Sequence, residues 1–230
     1  MISNDSIPIT AIIDPKVLAI PIQECGDGMM DLTQQKNLLF GESPEIPNNQ
    51  DYTKLRIAVY EKLLIAQQSL PNDLKFCLYE GYRSLQLQEQ LFNQRYQMLK
   101  QRHPDLEHPQ LFQATTRMVS PTINLDGSTN IPPHATGGAF DIYLVDMAGE
   151  IVDMGIRAAD WMQDYDGSLS KTDSLIISDQ AKHYRAIMSQ ALNAVGFVNY
   201  PWEYWHWSYG DRYWAHQLKR PYALYGAVSW

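Results

Sequence analysis

The chain has 230 residues, 45% hydrophobic and 19% charged, which is enough for one globular domain with an ample core. Its net charge is −8 and no Lys/Arg run stands out, which argues against a nucleic-acid or anionic-membrane partner. No stretch of about 18 apolar residues occurs, so no transmembrane helix is predicted.

Residues Met1 to Ser6 show neither a basic n-region nor an apolar h-region, so no secretory signal is read there and the cytoplasm is the expected compartment. Residues 1–50 read as a loop-rich segment, broken by Pro8, Pro15, Pro21, Pro44 and Pro47, packed on a single domain spanning 1–230. Cys25 and Cys77 are one pair, too few for a disulfide framework, and a bridge between them stays open. Leu55, Val59, Lys62 and Leu63 follow helical spacing and predict a helix over 53–69, ended by Pro71. Lys75 to Tyr79 reads as a buried strand. Ser84 is positioned to cap a second helix running to about Arg102, with Leu87, Leu91, Gln94 and Met98 along one side. Residues 103–132 form a long polar connection.

A strand follows, with Phe140, Ile142 and Leu144 on one face and Asp141 and Tyr143 on the other. Residues 147–177 form another connection, turning at Gly155 and Gly167. Its Asp164-Tyr165-Asp166-Gly167 lacks the spacing and terminal Glu of a calcium loop and reads as a solvated turn. Ser178 or Asp179 caps a third helix, about Gln180–Val195, with Gly196 as its C′ residue. Strands are expected around 197–200 and 204–209. The aromatic tail of Tyr213, Trp214, Tyr222, Tyr225 and Trp230 packs a core or flank. Helices with a few antiparallel strands give an α+β class: a small antiparallel sheet flanked by helices.

The chemistry concentrates in His134, Asp141, Glu203 and His206. Two imidazoles and one carboxylate can fill three corners of a zinc tetrahedron and leave the fourth for water. The spare carboxylate, Glu203, is then placed to take a proton from that water. Gly137 and Gly138 let the chain after His134 bend or a substrate approach. Tyr204, His206 and Ser208 share strand parity and Glu203 does not, so Glu203 is expected on the loop after Pro201 or at a bulge. Taken alone, each half also reads as ordinary structure: a histidine near glycine with a strand aspartate, or a polar patch on an aromatic strand. Neither is an H-E-x-x-H helix. His103, His108, His183 and His216 have no partners at ligand spacing, and His216 is the reserve ligand.

Together the two segments resemble the zinc D-alanyl-D-alanine dipeptidases, relatives of the zinc D,D-carboxypeptidases. The family's S-x-H-x-x-G-x-A-x-D is matched by His134, Gly137, Ala139 and Asp141, and its E-x-W-H by Glu203, Trp205 and His206. Tyr79-Glu80-Gly81-Tyr82-Arg83 resembles its Y-x-G-Y-R, and Met154-Gly155 and Gly196-Phe197 also match. The resemblance spans about residues 75–210. It implies one zinc per chain on His134, Asp141 and His206, at one face of the sheet. It further implies Glu203 as general base and then acid, Arg83 as stabiliser of the oxyanion, and Tyr82 as a substrate contact. The implied reaction is hydrolysis of the free dipeptide D-Ala-D-Ala.

The alternatives are a D,D- or L,D-carboxypeptidase trimming peptidoglycan stem peptides, or a non-catalytic peptide-binding domain of the same fold. Intact Glu203 and Arg83 argue against the last. Two positions depart from the pattern. The family's Ser two residues before the first His is Pro132, which has no hydroxyl and no N–H. The family's ammonium-binding Asp, five residues after the Met of Met-Gly, is Ala159, and Asp160 is the displaced candidate. Nothing in the sequence fixes the oligomeric state.

Overall fold

The computed structural model describes residues 9–42, 44–45 and 49–228. In chain order they form α1 (Pro15–Leu18), β1 (Met29–Asp31), β2 (Leu39–Phe40), β3 (Lys54–Arg56), α2 (Ile57–Gln67), β4 (Leu74–Glu80), α3 (Leu85–Arg102), α4 (His108–Thr115), β5 (Ala139–Asp146), α5 (Asp179–Ala194), β6 (Val198–Tyr200), β7 (Glu203–Ser208) and α6 (Arg212–Gln217).

The main sheet has the order β2-β4-β5-β7-β6. All pairs are antiparallel except the edge pair β2-β4. Because side chains alternate across a pleated strand, one face collects Phe76, Leu78, Phe140, Ile142, Leu144 and Trp207. These join Val59 and Leu63 of α2 and Met188 and Leu192 of α5 in a single buried core. The alternation read for residues 140–144 therefore holds, and the α+β class with it. The opposite face carries Glu80, Asp141 and His206 in one row: Glu80 pairs with Asp141 across β4-β5, and Asp141 with His206 across β5-β7. A register shift between Leu78 and Glu80 turns Glu80 onto that face. Leu87 and Leu91 of α3, with Val119, Met118 and Trp161, close over the polar face.

The helix boundaries follow their caps. Ser84 Oγ accepts from Leu87 N and starts α3, and Ser178 Oγ accepts from Ala181 N and starts α5. Gly196, just after α5, has φ +87°. The helix expected over 53–69 is shorter, because residues 54–56 pair with β1 as a strand; Leu55 lies opposite Met30. Helical spacing around Leu55 cannot reveal a partner contributed from 25 residues upstream. The connection 103–132 contains α4, an eight-residue helix with Pro109 in its first turn and Glu107 N donating to Gln110 Oε1.

The connection 147–177 has little regular structure, and two buried guanidiniums serve its carbonyls. Arg95 donates to Asp164 O and Tyr165 O at 3.1 Å. Arg185, stacked on Tyr204, donates to Met154 O and Leu169 O at 2.6 and 2.9 Å. The turn expected to be solvated is so only at Tyr165 and Asp166; Asp164 is buried, because its Oδ2 accepts from Ser170 N inside the fold. Cys25 is exposed, Cys77 is buried, and both are free thiols. Tyr213, Trp214 and Tyr225 are buried, as expected of core aromatics; Trp230 lies outside the described residues. Among the described residues no helix is long and apolar enough to cross a membrane.

Candidate active site

His134 reaches the site from a short 3-10 turn, Pro133–Thr136, that ends at Gly137 with φ +68°. That left-handed conformation is where glycine replaces any residue with a Cβ. His134 Nδ1 lies 2.8 Å from Gly81 O, so Nδ1–H donates to the carbonyl and the Nε2 lone pair is left for a metal. Gly81 has its own reason to be glycine. A Cβ there would lie 2.5 Å from Lys54 O and 2.8 Å from Tyr52 O, and Gly81 N donates to Tyr52 O. The glycine of the Tyr79–Arg83 motif thus presses the end of β4 against the backbone before β3 and presents its carbonyl to His134.

His134 Nε2 lies 3.1 Å from His206 Nδ1 and 3.5 Å from Asp141 Oδ2, and His206 Nδ1 lies 3.1 Å from Asp141 Oδ1. The three residues are buried and each offers a ligand atom within 4.8 Å of the others. Bonds of ~2.0–2.1 Å to a tetrahedral zinc imply ligand atoms ~3.3–3.4 Å apart, so the donor set fits the ion in type and spacing. His206 Nε2 is buried without a hydrogen-bond partner among the described residues, and so is Oδ2 of Asp211, whose other oxygen caps α6. His216, on α6, and His183, on α5, stand outside the cluster.

Glu203 is the first residue of β7, where pairing with β6 breaks: Val198 and Asn199 face Ser208 and Trp207, then Tyr200 faces Glu203. The irregularity removes the parity conflict, and Glu203 and His206 both line one cavity. The Asn199 side chain fills the break. Its Nδ2 donates to the carbonyls of Glu203 and His206, each at 3.0 Å, which the ladder leaves unpaired. Arg83 lines the same cavity. It ion-pairs with Glu80 and donates from Nη1 to Gln88 Oε1 at 2.9 Å, while Nη2 lies 3.9 Å from Asp141 Oδ2. Gln88 is oriented in turn by Ser120 O at 2.6 Å.

Burial and charge set the proton affinities. Burial works against the charged form of Asp141, but His134 and His206 outweigh it and hold the carboxyl well below its ordinary range. Burial pushes Glu203 well above the usual carboxylate value, and the charge of Asp141 adds to this. Burial lowers the His206 pKa even though Asp141 opposes it. Burial also opposes the charge on Arg83, yet Glu80 and Asp141 raise its pKa above normal.

The cavity brings together five residues singled out from the sequence: His134, Asp141, His206, Glu203 and Arg83. Tyr82 is buried with its N–H on Lys54 O, and Tyr79, three residues earlier, lines the cavity instead. Asp160 lines a separate groove with Ala159 and Arg157, and accepts from Arg157 Nε at 2.9 Å. Thr116 and Ser120 also line the cavity, with the Thr116 hydroxyl donating to Gln113 O and the Ser120 hydroxyl accepting from Asn130 Nδ2. Gln88, Trp161 and Glu45 line it as well, and none was marked in the sequence. The spacing Arg83-x-x-x-x-Gln88, at the start of a capped helix, was the available signal for Gln88. Glu45 had none.

With a metal bound, such an arrangement can polarise a carbonyl, deliver a proton and hold a developing oxyanion, which is the chemistry of a metallopeptidase. Residues 48–224 match the family model of peptidase M15, D-ala-D-ala dipeptidase, and the chain belongs to that family. It is 26% identical over 243 residues to a D-alanyl-D-alanine dipeptidase of Synechocystis sp., covering 92% of this chain and 96% of that one. Among solved structures it is similar to VanYB in complex with D-alanine-D-alanine, with a TM-score of 0.45 and 16% identity over 88% of this chain and 91% of the other. It is also similar to the vancomycin resistance D,D-pentapeptidase VanY in complex with Zn(II), with a TM-score of 0.41 and 15% identity over 88% and 92%.

Proposed function

We propose that this chain is a zinc enzyme that hydrolyses the peptide bond of free D-Ala-D-Ala and releases D-alanine. The observation that carries this reading is the convergence of His134, Asp141 and His206 with Glu203 and Arg83 on one cavity. Zinc held by His134 Nε2, His206 Nδ1 and the Asp141 carboxylate would polarise the scissile carbonyl and acidify the attacking water.

Glu203 takes the proton of that water and hands it to the departing amine. Burial raises its affinity for the proton, which suits a group that must hold it between the two transfers. Arg83 stabilises the oxyanion that develops on the scissile carbonyl. Glu80 and Gln88 fix its guanidinium beforehand, so little reorganisation is left for the transition state. A dipeptide rather than a stem peptide is favoured by the likeness to a relative named a D-alanyl-D-alanine dipeptidase. Free dipeptide as substrate fits an enzyme of the cytoplasm and of peptidoglycan metabolism.

The test incubates zinc-loaded protein with D-Ala-D-Ala, L-Ala-L-Ala and a muramyl pentapeptide and measures released alanine. D-alanine should come from the first substrate only, stop on chelation and return with zinc. Release from the pentapeptide at a comparable rate would assign the chain to the carboxypeptidases instead.

A further inference from the structure

The cavity holds one more carboxylate than the reaction uses. Glu80 is paired with Arg83, Asp141 belongs to the metal ligands, and Glu203 carries the proton. Glu45, which precedes β3 in the loop-rich segment, lines the same cavity. Among the described residues the ion pairs within 4 Å do not include it. Its hydrogen-bond partner is the side chain of Trp161, another lining residue.

Asp160, the candidate for recognising a substrate ammonium, is engaged elsewhere. Its oxygens meet Arg157 Nε at 2.9 Å and Gln163 Nε2 at 3.3 Å, and it lines the neighbouring groove with Ala159. A one-residue shift of this turn therefore leaves the cavity without its carboxylate from that side.

Burial, reinforced by repulsion from Glu80 and Asp141, pushes the Glu45 pKa up to about 7 although Arg83 and Trp161 work the other way. A cation seated beside Glu45 would relieve the repulsion and replace the lost hydration. A free dipeptide carries one such cation, its α-ammonium, on the same residue as the scissile carbonyl and one carbon away from it. Of the other cavity partners already named, Arg83 only donates and the Thr116 and Ser120 hydroxyls carry no charge, so none of the three offers the amine an opposite charge.

On the dipeptidase reading above, we infer that Glu45 is the specificity-determining residue that binds the α-ammonium of the substrate and so separates free dipeptides from N-acylated peptides. The family position held by Ala159 is thus replaced from a different part of the chain.

The experiment compares zinc-loaded wild type, Glu45→Gln and Glu45→Asp on D-Ala-D-Ala and N-acetyl-D-Ala-D-Ala. Wild type should prefer the free dipeptide. Glu45→Gln should lower kcat/KM for it roughly 10- to 100-fold, mostly through KM, the range for losing a charged hydrogen bond. Its kcat/KM on the acetylated dipeptide should change less than about threefold, so the preference collapses. Glu45→Asp keeps the charge and should recover part of the preference. A purely structural role would lower both substrates together and lose zinc. If wild type is active and Glu45→Gln keeps the preference, the role of Glu45 is overturned and the dipeptidase reading survives. If wild type releases D-alanine from neither substrate, both fall. Should Glu45→Gln not fold, an unchanged preference in Glu45→Asp overturns the inference and a reduced one supports it.

Discussion

At the scale of single residues, the proposed function separates groups that would hold the metal from groups that would do the chemistry. Glu203 lies 3.9 Å from His206 Nδ1 and outside the ligand trio. Glu203→Gln should therefore keep metal and fold, measured by metal analysis and circular dichroism. Its turnover should drop at least ~10²-fold, the lower range for losing general acid–base catalysis. Loss of zinc instead would make Glu203 a ligand. Arg83 spends one nitrogen on Glu80 and another on Gln88. Lysine has one compact ammonium and cannot span both and a substrate oxygen. Arg83→Lys should thus lower kcat by more than it raises KM in steady-state kinetics, since the contact matters most in the transition state. A pure KM effect would move Arg83 to ground-state binding. The residues legible in the sequence were those inside short motifs with ligand chemistry. Glu45 was not, because a lone glutamate among prolines carries no pattern, and only the folded cavity gives it neighbours.

At the scale of elements, the catalytic geometry depends on where strand pairing fails. Glu203 and His206, three apart on β7, face one cavity only because β6 and β7 lose register between Asn199 and Tyr200. The Asn199 amide occupies that gap and is itself oriented by Thr172 Oγ1 at 2.5 Å. Asn199→Ala would leave two strand carbonyls unpaired, at ~1–3 kcal/mol for each group that water cannot reach. The melting temperature should fall by several degrees. The turnover number should fall by at least ~10-fold even at temperatures where the variant is folded, because small misplacements of a catalytic group cost disproportionately. Wild-type turnover in a folded Asn199→Ala would show that the gap holds its shape unaided. A parity conflict was visible in the sequence and pointed to a bulge, but the side chain that fills it was not. Helices α3 and α5 were legible through Ser84 and Ser178 because caps are local signals. Short α4 and the β1-β3 pair were not: the first offers too few turns for periodicity, and the second depends on a distant partner.

At the scale of the whole molecule, the fold encloses charges that it does not neutralise by itself. The row of Glu80, Asp141 and His206, with Glu203 beside it, is covered by α3 and the connection that Arg95 and Arg185 hold in place. A bound cation would offset this, so chelation should lower the melting temperature, as ligand linkage requires of any metal that binds the folded state alone. The dependence on pH is more specific. Glu203 has a folded pKa raised above its unfolded value near 4.5, so between the two values the folded state binds more protons than the unfolded one. Its contribution to stability is therefore complete below the unfolded pKa and is lost as pH rises toward the folded one. His206 has the opposite sign. Its pKa is lowered from 6.5, so stability is gained as pH rises through the folded value toward 6.5. Asp141, already depressed, stays ionised across this range. These last two contributions are common to wild type and Glu203→Gln, and the difference between the proteins isolates Glu203. In metal-free protein, Glu203→Gln should melt close to wild type near pH 5 and increasingly above it as pH rises to 8, followed by calorimetry under chelation. A constant difference over that interval would mean that Glu203 titrates in the folded state as it does in the unfolded chain, and that the site can hold its charge without a cation.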